Sequence, residues 1–333
     1  MATIKAIEYV YPKNKITNND LALQFPTYDF SKFENKVGIK NRYWVSEQET
    51  ALDLAVEACE KLFLKEDRSI IDYVLYCTQS PEYFLPTTAC ILQDKLGLRK
   101  NIGALDFNLG CSGYVYGLSL AKGLIESGQV ENVLLVTAET YSKYLHPQDR
   151  SNRAIFGDAA TATIISAGTE ETFGDFLFGT DGSGHENLIV KNGASKYKVE
   201  LKAPQICYGT ENIYSDNHLY MNGPEIFNFT AKQIPNFTKE VLEKNKIKIE
   251  DVGQFIFHQA NAFMLNFMRK SMKIDLEHFY IDLEDGGNTV SCTIPIALKN
   301  YSHKIEEETS IVLVGFGVGL SWAGGLIKIQ NKL

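Results

Sequence analysis

The sequence has no cysteine pair spaced two residues apart and no compact cluster of cysteine and histidine. Its six cysteines stand singly at 59, 77, 90, 111, 207 and 292. A zinc site and a disulfide framework are therefore not expected, and a reducing cytoplasm is. It is also short of positive charge. Lys and Arg number 33 against 41 Asp and Glu, a formal net charge of −8, which argues against nucleic acid or an anionic membrane as the main partner. The opening stretch MATIKAIEYVYPKN lacks the apolar core of a signal peptide. One stretch, Ser310–Ile327, runs 18 residues without charge, SIVLVGFGVGLSWAGGLI, a length that suggests a membrane helix. Its five glycines and its β-branched front instead fit two buried strands around a tight turn. What remains is ordinary globular material. The 333 residues are 44% apolar and 22% charged, enough for a large core or two fused halves.

Strand-like runs alternate with helical patterns along the chain. Strands are expected at YVLYCTQ, GALDFN, NVLLVTAE, ATATIISA, FIFHQA, FYIDLE and IVLVGFG. Helices are expected at ETALDLAVEACEKLF, TTACILQDKLG, the segment after Cys111, EVLEKN, AFMLNFMRKSM and TIPIALKNYSH. The alternation means an α/β protein with covered sheets. The halves also match each other at a nearly constant offset. Gln79 and Gln259 lie 180 positions apart, Lys122 and Lys299 177, and Val133 and Ile311 178. Three matches in one order suggest an internal duplication, with one half at residues 1–170 and the other at 171–333, the second including a loop-rich segment at about 178–222.

The chemistry-bearing stretch is DFNLGCSGYVYGLSLAKGLIESG, Asp106–Gly128. A buried strand ends there, a cysteine sits between glycines, and a helix starts, with Gly128 as its stop. A thiol at a helix N-terminus meets free N–H groups and the positive end of the dipole, so a depressed pKa is expected at Cys111. At the duplication offset Cys111 falls opposite Asn288, and His258 stands opposite Thr78 at a strand end. Ligands gather beyond the carboxyl ends of strands in open α/β sheets, so a pseudo-twofold would bring Cys111, His258 and Asn288 to one site. Alone, such a histidine is more often structural and such an asparagine a turn former. The combination is what signals a site.

The strings LGCSG, FHQAN and GGNTVSCTIP, together with FGDAATATII and GFGVGLSW, resemble the thiolase superfamily. Within it they are similar to β-ketoacyl-acyl-carrier-protein synthase III, from about Ile4 to Ile329. The resemblance implies a five-layered α/β/α/β/α fold of two duplicated halves, a homodimer, and a decarboxylating Claisen condensation. An acyl thioester, of coenzyme A or of acyl-carrier protein, would load Cys111 and condense with malonyl-acyl-carrier protein. No metal or redox cofactor is implied. His258 and Asn288 would hold the enolate oxygen, and a second oxyanion hole would use the N–H of Cys111 and the loop Gly317, Val318 and Gly319. The loop GFGVGLSW lacks the second cysteine of a degradative thiolase, and Asn288 stands where elongating synthases carry a second histidine. Two other functions compete: a same-fold acyltransferase acting on an alcohol or amine, and a catalytically idle binding protein.

The chain also departs from the family pattern. The tryptophan that clamps adenine is replaced by Lys32, and its arginine partner by Lys36, while Arg150 matches the phosphate-side arginine. Lysine meets phosphate as a point charge but gives no flat stacking surface. Phe263 replaces an arginine that meets the carrier protein, with Arg269, Lys270 and Lys273 following on the same helix. At the dimer-side acyl pocket, Leu85 stands where the family commonly carries an aromatic gate. These departures suggest a different acyl group or a specialised pathway, and they predict weak binding of free coenzyme A thioesters.

Overall fold

The computed structural model describes residues 1–330 and 332–333. Ten strands build two five-stranded sheets. The first holds β1 (Ala2–Val10), β2 (Tyr73–Cys77), β3 (Gly103–Phe107), β4 (Asn132–Glu139) and β5 (Ala159–Ala167), in the order β3-β2-β4-β5-β1. The second holds β6 (Phe173–Thr180), β7 (Gln254–Phe257), β8 (Phe279–Tyr280), β9 (Thr309–Gly317) and β10 (Ser321–Ile329), in the order β8-β7-β9-β10-β6. The directions match strand for strand. In the first sheet β2 runs parallel to β3 and β4, and β5 is antiparallel to β4 and β1. In the second β7 runs parallel to β8 and β9, and β10 is antiparallel to β9 and β6. The duplication read from the constant offset is thus a repeated topology.

Helices separate and cover the sheets. Helix α1 (Ala51–Phe63) buries Leu52, Leu54, Ala55, Ala58, Cys59 and Leu62, a stripe at helical spacing. Together with α2 (Thr88–Lys95) it covers the outer face of the first sheet. Thr50 and Asp53 close a capping box at the start of α1. Helices α3 (Gly113–Glu126) and α7 (Thr293–Ser302) lie between the sheets, with α3 touching strands of both. Between them, α4 (Arg150–Ile155) is a short helix beside the site. On the far side α5 (Gly223–Lys244) packs on β6, β9 and β10, and α6 (Ala262–Ser271) packs on α5. These are the five layers expected. Because both faces of the sheets are covered, the central strands read as unbroken apolar runs; β4 is buried from Val133 to Glu139.

The uncharged stretch Ser310–Ile327 forms the antiparallel pair β9–β10, not a membrane helix; among the described residues no helix is long and apolar enough to cross a membrane. Two expectations fell short. EVLEKN is the last part of the 22-residue α5, which starts at Gly223 and carries a buried Pro235, so the pattern hid its first four turns. FYIDLE pairs only at Phe279 and Tyr280, as the edge strand of its sheet.

Candidate active site

Cys111 lies in the turn between β3 and α3 and is 5% exposed. The turn is fixed from the other half of the chain. Ser112 Oγ lies 2.9 Å from Ser321 Oγ, and the glycines of β9 press directly on it. A Cβ at Gly315 would stand 2.7 Å from the Cys111 carbonyl oxygen, and one at Gly317 would stand 2.8 Å from Cys111 Sγ. Only glycine permits that approach.

His258 follows the last residue of β7, the structural counterpart of the end of β2. Its N–H donates to Val314 O at 2.8 Å, its Nδ1 lies 2.7 Å from Thr293 Oγ1, and its ring meets Phe316 edge-on. Asn288 is held by its own backbone: its N–H donates to Ile155 O at 2.9 Å, and its carbonyl accepts from Gly157 N–H at 3.0 Å. The Val290 N–H donates to Asn288 Oδ1 at 2.9 Å, which turns the amide nitrogen toward His258 Nε2, 3.5 Å away. Val290 achieves this at φ +58°, a left-handed conformation that costs a β-branched residue of order 1–3 kcal/mol.

Cys111, His258 and Asn288 line one cavity of about 150 Å³, walled by Tyr141, Phe156 and Phe316 and reaching Asn261 and Met264. The three residues predicted to meet do meet. Gly317 lines the same cavity. The N–H groups of Cys111 and Val318 face the sulfur, and Gly319 turns the chain at φ +142°.

The thiol departs from expectation. Its pKa is not depressed but pushed up to about 12, by burial first and by the charge of Glu139 second. The two facing N–H groups act in the opposite sense and are outweighed. Burial also drives His258 down to about 3, so its ring is neutral. Glu139, at the end of β4, is fully buried and accepts hydrogen bonds from Ser291 Oγ at 2.8 Å, Gln79 N–H at 3.1 Å and Ser80 Oγ at 3.3 Å. Desolvation still raises its carboxyl to about 8. It joins the two halves behind the cavity, and nothing local in the sequence marks it.

The substrate-binding candidates divide. Arg150, Lys32 and Lys36 line a second groove of about 470 Å³, which shares Ile155 with the catalytic cavity. Lys32 is exposed and pairs with Asp29 at 3.4 Å. The groove is not without an aromatic face, as the loss of tryptophan at position 32 suggested. The Arg150 guanidinium lies 3.8 Å from the ring centre of Tyr28, and Phe33 lines the same groove. Lys36 reaches over the ring of Phe263, itself 46% exposed on α6. Of the cations after Phe263, Arg269 is committed to its own helix end, donating to Ile274 O at 2.8 Å, while Lys270 and Lys273 are exposed. Leu85, expected on the dimer side of the acyl pocket, does not line this chain's own cavity. It is 82% exposed. Among the described residues no cluster of His, Cys, Asp and Glu is arranged to hold a metal.

The comparisons with known proteins follow the geometry. Residues 105–182 match the family model 3-oxoacyl-[acyl-carrier-protein (ACP)] synthase III, and residues 242–329 match its C-terminal counterpart. The chain is 38% identical to a β-ketoacyl-[acyl-carrier-protein] synthase III of Clostridium perfringens, over 96% of each chain. It is 34% identical to one of Fusobacterium nucleatum, over 98% of each. A crystal structure of a 3-oxoacyl-(acyl-carrier-protein) synthase III superposes with a TM-score of 0.96 at 45% identity, covering 98% of this chain and 99% of that one. The 3-oxoacyl-(acyl-carrier protein) synthase of Burkholderia xenovorans LB400 gives 0.90 at 32% identity, over 99% and 94%. With the fold, the meeting of Cys111, His258 and Asn288, and this similarity along nearly the whole length, the chain belongs to the 3-oxoacyl-[acyl-carrier-protein] synthase III family.

Proposed function

We propose that the chain catalyses the decarboxylating condensation of an acyl thioester with malonyl-acyl-carrier protein, as an acyltransferase that initiates fatty-acid synthesis or a related pathway. The observation that carries this reading is the convergence of Cys111 Sγ, a neutral His258 and the Asn288 amide on one apolar cavity. In the first half-reaction Cys111 Sγ attacks the thioester carbonyl. Its proton leaves with the departing thiol, and the oxyanion sits against the N–H groups of Cys111 and Val318. In the second, the malonyl thioester loses CO₂. The enolate oxygen takes hydrogen bonds from His258 Nε2–H and Asn288 Nδ2–H, and its carbon attacks the acyl carbonyl. Cys111 is released as thiolate and takes one proton from solvent, the single proton that the decarboxylating condensation consumes.

The reaction needs no metal or redox cofactor. Acyl transfer to an alcohol or amine is the weaker reading, because such a reaction has no enolate for Asn288 and His258 to hold.

The groove of Arg150, Lys32 and Lys36 suits the phosphates of a coenzyme A or carrier-protein donor. The exposed Phe263, Lys270 and Lys273 on and just after α6 suit an acidic carrier helix. A homodimer accords with the open edge of β3, where Leu105 is 45% exposed, and with the exposed Phe84 and Leu85 nearby in sequence. Apolar edges of this kind are normally covered. A cytoplasmic location fits these substrates. Intact-mass measurement after exposure to a panel of acyl-coenzyme A and acyl-carrier-protein donors tests the loading step. One acyl group is expected on Cys111 and none on Cys111→Ser; equal loading of the variant would remove Cys111 from the mechanism.

A further inference from the structure

The proposed reaction asks His258 to donate a hydrogen bond from Nε2. Burial keeps the ring neutral, so it carries one proton, and the nitrogen that holds it decides whether Nε2 donates or accepts. Nδ1 faces one group, the Thr293 hydroxyl, at 2.7 Å. That hydroxyl has a single proton and two acceptors within reach, His258 Nδ1 and the Val290 carbonyl at 3.1 Å. The second is the usual local bond of a threonine early in a helix, back to the carbonyl three residues before. Here the imidazole nitrogen is the nearer acceptor.

The other side of the ring shows where such a donor would point. The Val290 N–H occupies Asn288 Oδ1, so the amide presents N–H to the ring. The 3.5 Å between Asn288 Nδ2 and His258 Nε2 is long for an N–H···N bond. At that spacing both nitrogens can face one oxygen lying off the line between them.

We propose that Thr293 is a positioning residue that donates its hydroxyl proton to His258 Nδ1 and so holds the imidazole as the Nε2–H tautomer, with Nε2–H and the Asn288 amide aimed at one oxygen. Thr293 is 3% exposed at the first position of α7. Its approach to the ring is set by the preceding turn, where Val290 adopts φ +58° and Ser291 Oγ is tied to Glu139 at 2.8 Å. This inference rests on the condensing role proposed above and deepens it.

The test is nitrogen-15 NMR of the full-length protein labelled at histidine, with His258 assigned from the signal lost in His258→Ala. The wild-type ring is expected to show a protonated Nε2 and an unprotonated Nδ1. Thr293→Val keeps the shape and removes the proton. It should lose the pure Nε2–H signature and slow malonyl decarboxylation by about tenfold or more, up to the roughly 10²–10³ that removing an oxyanion donor costs. Cys111 loading should stay near wild type, and Thr293→Ser should restore both spectrum and rate. A protonated Nδ1 in the wild type overturns the proposal. So does an unchanged tautomer and decarboxylation rate in Thr293→Val. The wild-type spectrum decides even where the valine variant does not fold. A correct tautomer in a protein that never decarboxylates a malonyl thioester would leave Thr293 its place and overturn the condensing reading instead.

Discussion

Gly317→Ala places one methyl group against the nucleophile. The added Cβ would stand 2.8 Å from Cys111 Sγ and 3.0 Å from Cys111 Cβ. Non-bonded heavy atoms settle at about 3.5–4.0 Å, so the sulfur must retreat by roughly 0.7 Å or leave its rotamer, the latter at about 0.5–1.5 kcal/mol. A misplacement of about 1 Å at a reacting atom costs on the order of 10²-fold, and acyl loading should fall by about that factor. The fold should hardly notice. Gly317 lies outside the left-handed region of backbone space, and Gly→Ala at a compatible backbone stabilises by about 0.4–1 kcal/mol through the unfolded chain. Gly315→Ala is the contrast. Its Cβ would meet backbone, Cys111 O at 2.7 Å and Ser112 Cα at 2.8 Å, so it should cost stability as well, about 1–3 kcal/mol. The assay is the rate of mass gain at Cys111 beside a thermal melt. Loading by Gly317→Ala within threefold of wild type would refute the packing of β9 on the nucleophile as the element that sets its position.

Three further outcomes follow from the site. Asn288→Ala should still load its acyl group yet lose about 10²–10³ in CO₂ release from the malonyl thioester; equal loss in both half-reactions would refute the division of labour. Glu139 carries a carboxyl raised to about 8 by burial, so it is ionised in the folded state only above that pH. Glu139→Gln should therefore label with iodoacetamide at Cys111 faster than wild type above pH 8 and no faster below it. The folded state keeps a proton that the unfolded carboxyl releases near its ordinary value, so wild-type stability should decline as pH rises toward 8, and the glutamine variant should lose that slope. Tyr28→Ala should weaken binding of a coenzyme A thioester by about tenfold, since a lost stacking surface costs about 1–3 kcal/mol, and should leave the matching carrier-protein thioester unaffected. An equal loss with both donors would show that Tyr28 only braces Arg150.

The sequence made the repeated topology legible because strand and helix patterns recur at one offset, and Cys111, His258 and Asn288 fall at related positions within the repeats. What it hid arises from contacts across the chain. The thiol's high pKa comes from burial and from Glu139, whose neighbours Gln79, Ser80 and Ser291 lie on separate segments. Tyr28 meets Arg150 across 122 positions, and no local periodicity encodes that. Arg269 reads as a free surface cation, but its guanidinium closes the C-terminal end of α6. Leu85, expected on the dimer side of the acyl pocket, is exposed in the single chain, and a chain's own pattern does not mark which surfaces face a second chain. Val290 runs against local preference, a β-branched residue in a left-handed turn beside Asn288, and such conflicts concentrate at functional sites.

The central claim is tested most directly by a single turnover. Enzyme acylated at Cys111 is mixed with malonyl-acyl-carrier protein, and both proteins are weighed by intact-mass spectrometry. The account predicts that the acyl mass leaves Cys111 as the carrier loses CO₂ and gains that acyl group as a β-ketoacyl thioester, and that Cys111→Ser yields no such product. A malonyl carrier that keeps its carboxyl while the acyl group passes to an alcohol or amine would contradict it.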